Sequence, residues 1–99
     1  MNGEVAAMEA TSTVQVDNDR VVVTEWRLAP GANTGFHVHQ RDYVVIPLTT
    51  GVLRLEEPGG VVREVPLKAG ASYARQAGVS HNTFNGGDQE FRFVEVELK

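Results

Sequence analysis

The chain has 99 residues, with nine Lys and Arg against thirteen Asp and Glu and a formal charge of −4. That length makes one domain the default, and an acidic surface without a basic cluster argues against nucleic acid and anionic membranes as partners. There is no cysteine, so disulfides and thiolate ligands are excluded, which fits a reducing compartment. No apolar run approaches the roughly 20 residues of a membrane span. The opening MNGEVAAMEA lacks a charged start followed by an apolar stretch, so it does not read as a signal peptide, and a cytoplasmic location is expected.

Residues 1–10 read as a mobile lead-in and residues 11–99 as one domain. Val, Thr and aromatic residues recur in short runs, separated by Gly, Pro, Asn and Asp. Strands are expected at 11–16 and 20–28 around Asp17-Asn18-Asp19, the second stopped by Pro30-Gly31. Short strands at 35–39 and 43–48 follow, the latter ended by Thr50-Gly51. Strands at 52–56 and 61–66 flank Glu57-Pro58-Gly59-Gly60, a hairpin turn. Strands at 72–75, 80–84 and 90–98 complete the chain, with turns at 68–70 and 85–88. No stretch of a dozen residues carries a helical period. Short strands with frequent turns predict an all-β sandwich or barrel. Pro47 falls inside a strand-like run and cannot donate to a ladder, so an edge or bulge is expected there.

All three histidines of the chain fall in two segments. Residues two apart on a strand share a face, so His37 and His39 can aim both rings at one point while Val38 faces away. His81 opens a strand just after a turn, from which it can reach across a small barrel.

These segments resemble the paired motifs of the cupin superfamily. Its first motif runs Gly, five residues, His-x-His, three or four residues, Glu, six residues, Gly. The chain supplies Gly31, His37, His39 and Gly51. The second motif runs Gly, five residues, Pro-x-Gly, two residues, His, three residues, Asn, for which the chain has Gly70, Gly78, His81 and Asn85. The resemblance implies a small antiparallel β-barrel of jelly-roll type, a double-stranded β-helix. It also implies a homodimer, often with exchanged N-terminal strands. The stretch from Asp42 to Thr49 is similar to small cupins grouped with β-alanine degradation. Two positions depart from the pattern: counted back from Gly51 the glutamate position holds Val44, and the proline position holds Gln76. Asp42 is the nearest carboxylate, two residues early. What remains is a three-histidine site, as in the thiol dioxygenases and the diketone-cleaving dioxygenase.

Imidazole suits Fe(II), Ni, Cu and Zn, whereas Mg and Ca want oxygen. Three protein ligands leave positions open, the mark of a catalytic or binding site rather than a structural one. Neutral ligands leave the ion's charge in place for a small anionic partner. The readings are therefore a metal-dependent, oxygenase-type enzyme of small-molecule metabolism, or a non-catalytic ligand-binding or regulatory cupin. Gln76, Thr83 and Asn85 are candidate acceptors for the outer ring nitrogens, although Asn85 before Gly86-Gly87 also suits an Asx turn. Arg41 and Arg75 are candidates to capture a ligand carboxylate, against the commoner role of solvated arginines. Tyr43 and Tyr73 are candidate ligand contacts. Aromatics more often pack, and Phe36, Phe84 and Trp26 are read that way.

Overall fold

The computed structural model describes residues 9–99, so most of the expected lead-in at 1–10, and any exchange of it, lies outside the described residues. The nine strands are β1 (Thr11–Asp17), β2 (Val21–Leu28), β3 (His37–Val38), β4 (Tyr43–Pro47), β5 (Gly51–Glu57), β6 (Val61–Leu67), β7 (Tyr73–Arg75), β8 (Ser80–Asn85) and β9 (Phe91–Leu98). They form a five-stranded sheet of order β1-β2-β9-β4-β7 and a four-stranded sheet of order β3-β8-β5-β6. Every strand pair in both sheets is antiparallel. This is the all-β double-stranded β-helix expected from the motifs.

Alternation explains the assembly. On β4, Tyr43, Val45 and Pro47 are buried while Val44 and Ile46 are half-buried on the other face. On β9, Phe91, Phe93, Glu95 and Glu97 share a face by the same period. The core consists of Leu28, Ala32, Tyr43, Val45, Leu53, Leu55, Phe91 and Phe93. Along β9 the shared face changes from two aromatics to two carboxylates, and there a cavity lies between the walls. Pro47 pairs with Phe93 on β9 alone, because β7 ends opposite Val45. The expected edge is thus a local one, within a strand flanked on both sides further along.

Two motif residues fix the far end of the barrel. Asn85 is buried; its side-chain amide donates to the carbonyls of Leu28 (2.9 Å) and Gln89 (2.7 Å), and its oxygen accepts from Gly87 N–H (2.9 Å). Gly51 does not take the left-handed conformation expected of a turn glycine. A Cβ there would lie 2.8 Å from Phe91 Cδ2, so close packing against that ring is what requires glycine. β1 is exposed at all seven positions and forms one margin of the larger sheet.

Candidate metal centre

The local chain path brings the three histidines together. Gly35 turns the chain with φ 83° and delivers it into β3, where His37 stands directly opposite His81 of β8. The regular strand is shorter than expected and stops at Val38. His39 is held instead by its own backbone: its N–H donates to Val79 O (2.8 Å) and its carbonyl accepts from Gly78 N–H (2.7 Å).

The rings meet edge to face, with interplanar angles of 80°, 77° and 84°. His37 Nε2 lies 3.0 Å from His39 Nε2, which lies 3.2 Å from His81 Nε2. His37 Nδ1–H donates to the Gly35 carbonyl at 2.8 Å, which leaves His37 Nε2 as a bare acceptor. His39 Nδ1 faces Glu95 Oε2 at 3.6 Å. His81 Nδ1 is buried without a hydrogen-bond partner among the described residues. Burial pushes His39 and His81 down to about 4, and the adjacent His37 adds to both shifts. Both rings are therefore neutral at physiological pH, with lone pairs crowded at one point. Nitrogens held ~2.0–2.1 Å from one ion, at right-angled to tetrahedral spacing, lie roughly 2.9–3.4 Å apart. The side chains present fit such an ion.

The cluster opens into a cavity of about 460 Å³ between the sheets. Tyr43 stacks on His39 with ring centroids 3.9 Å apart, and burial pushes its hydroxyl up to about 12. Burial also raises Tyr73. Glu95 is pushed up to about 7, by burial first and by Glu97 second, against a lowering hydrogen bond from Trp26.

The family described as "Cupin domain" matches residues 24–97. The chain belongs to the cupin family. It is 58% identical over 91 residues to the beta-alanine degradation protein BauB of Pseudomonas aeruginosa, covering 92% of this chain and 95% of that one. It is 27% identical over 94 residues to an oxalate-binding protein of Thermotoga maritima, covering 95% and 75% of the two chains. A crystal structure of a cupin domain from Bordetella pertussis Tohama I superposes with a TM-score of 0.90 at 53% identity, covering 95% of this chain and 97% of that one.

Against the cupin pattern, the carboxylate position on β4 needs correction. Val44 was assigned to it by counting back from Gly51, but Val44 faces away from the cavity. The β4 side chain beside the histidines is Tyr43, separated from His39 by three residues, so an aromatic ring takes the place of the missing carboxylate. Asp42 does not substitute for it. Its carboxylate accepts from Ala77 N–H at 2.8 Å and its carbonyl from Leu98 N–H at 2.9 Å.

The other candidates divide by exposure. Tyr43, Tyr73 and Arg75 line this cupin's cavity, whereas Arg41 is exposed and lies outside it. Gln76 is exposed as well, so it offers no acceptor to a buried ring. Thr83 is buried and lines the cavity, but its backbone pairs with Thr34. The acceptor found is the Gly35 carbonyl for His37; Glu95 lies beside His39 Nδ1 at 3.6 Å, outside hydrogen-bond distance. Thr34 Oγ1 lies 3.4 Å from His37 Nδ1. Glu95 and Glu97 were missed by sequence reading, although alternation from Phe91 and Phe93 puts them on the buried face of β9.

Proposed function

We propose that this cupin holds a divalent transition metal, Fe(II), Ni or Zn, on His37, His39 and His81, and binds a small anionic metabolite there. The observation that carries the reading is the convergence of the Nε2 atoms, 3.0 and 3.2 Å apart, at the wall of a cavity. A bound ion would supply Lewis acidity and an anchor for an anion. The chain's own residues supply the rest. The Gly35 carbonyl orients the His37 ring, and backbone bonds to Gly78 and Val79 hold His39, with Glu95 beside its Nδ1. Tyr43 and Tyr73 stay protonated and line the cavity as hydroxyl groups able to donate to a ligand. Glu95, titrating near neutrality, can take or return a proton in the cavity.

The names of two relatives support a small acid as ligand, one recording beta-alanine degradation and the other oxalate binding. An oxygenase-type reaction is the enzymatic form of this proposal. The second reading is a non-catalytic cupin that holds or senses the same kind of ligand, favoured by the name of the oxalate-binding relative. In either form the protein is taken to be cytoplasmic and homodimeric. Oxygen uptake by Fe(II)-loaded protein, offered a panel of short amino, oxo and dicarboxylic acids, separates the two. Uptake that depends on one acid and is lost in His81→Ala supports the enzyme. Tight binding without uptake supports the binder.

A further inference from the structure

Among the described residues, the cavity contains a cation with no carboxylate at ion-pair distance. Arg75 is half-buried and lines the wall, and a guanidinium stays charged at any physiological pH. Glu95 and Glu97 line the same cavity, yet among the described residues no carboxylate lies within ion-pair distance of Arg75. The ladder explains the separation. Strand β4 runs between β9 and β7, so Glu97, Tyr43 and Arg75 form one cross-strand row. Strands lie about 4.8 Å apart, which puts the Glu97 and Arg75 backbones roughly 10 Å apart with the Tyr43 ring between them.

A partly desolvated guanidinium is stabilised by a planar oxygen acceptor, above all a carboxylate. Tyr43 in the same row and Tyr73 in the next both line that wall and bring hydroxyl groups to it. The Arg75 charge also reaches the histidines, where it helps to depress both His39 and His81. With an ion on the neutral histidines the cavity would have two positive poles, that ion and Arg75, in a volume of about 460 Å³ that suits a small metabolite.

We propose that Arg75 is the specificity residue of this cavity. It takes a carboxylate of the ligand while the three-histidine pole takes a second oxygen donor of the same molecule. The ligand class is a short dicarboxylate or oxo acid, since a simple monocarboxylate satisfies only one pole. This rests on the reading of His37, His39 and His81 as metal ligands.

The test is calorimetric titration of Co(II)-loaded protein with malonate and with acetate. Wild type is expected to bind malonate at least tenfold more tightly than acetate. Arg75→Gln takes up Co(II) normally and loses that preference, while Arg41→Gln keeps it. If Arg75→Gln does not fold, Arg75→Lys carries the test and loses at least threefold of the preference, because lysine lacks the two-pronged fork. Normal Co(II) uptake with a malonate preference indifferent to Arg75 overturns this proposal alone. A wild type that takes up no Co(II) overturns the metal reading, and this proposal with it.

Discussion

In the metal-free protein the buried site ties stability to pH at single residues. His39 and His81 titrate near 4 when folded, against 6.5 for the free side chain. Between those values the unfolded chain binds protons that the folded chain refuses, so their contribution rises with pH and is lost as pH falls through the window. Glu95 acts in the opposite sense. Its value is raised from 4.5 to about 7, so over that range the folded chain keeps a proton the unfolded chain has lost, and stability falls as pH rises. Two protons against one leave a net gain. Denaturant unfolding in EDTA should show stability climbing from pH 4.5 to 6.5, by on the order of 1 kcal/mol per pH unit. Glu95→Gln removes the opposing proton and should roughly double that slope; an unchanged slope would show that Glu95 is not protonated in the fold. Residue by residue, the histidines were legible because two-residue alternation and a turn suffice to place them. Glu95 was not, because a glutamate in a run of Phe, Val and Glu reads equally well as the solvent side of a strand. Alternation groups it with Phe91 and Phe93, but the same alternation puts Val94 and Val96 together on the opposite face, and the fold decides that the phenylalanine face is the inward one.

The strands themselves were largely legible, since β-branched runs bounded by Gly, Pro and Asn carry their own punctuation. The main local difference is β3, two residues long where five were expected. His39 leaves the ladder because its backbone bonds to the turn at Gly78 and Val79, a long-range partner that local sequence does not announce. Gly51 teaches a related lesson, because its need for glycine comes from Phe91, a residue on another strand. Gly51→Ala must displace that ring, and an overpacking cost of about 1–3 kcal/mol is expected. Phe91→Ala, at a side chain 1% exposed, should cost about 3–5 kcal/mol. Thermal or denaturant melts check both; a Gly51→Ala protein as stable as wild type would show that the ring moves freely. Asn85→Ala removes three hydrogen bonds at the far end of the barrel and should destabilise by about 1–3 kcal/mol without changing metal affinity. A parallel loss of metal would mean that Asn85 acts on the histidines rather than on the turn.

At the scale of the whole molecule, the two sheets divide the work. One end is closed by Leu28, Phe91 and Asn85 as a packed core, and the other holds the histidines, tyrosines and acids around a cavity. Strand β1 is exposed throughout, with Val14 at 59% and Val16 at 42%, and among the described residues no strand pairs with its outer edge. Such an edge is normally covered, and light scattering should return the mass of a dimer; a monomer at all concentrations would contradict this. Metal and fold should also be linked, because an ion that binds only the folded chain stabilises it by mass action. The most direct measurement is elemental analysis of protein purified without a histidine tag, beside its His37→Ala variant. The account predicts about one transition-metal ion per chain in the wild type and a large loss in the variant. A metal content near zero in the wild type, or one unchanged by His37→Ala, would contradict it.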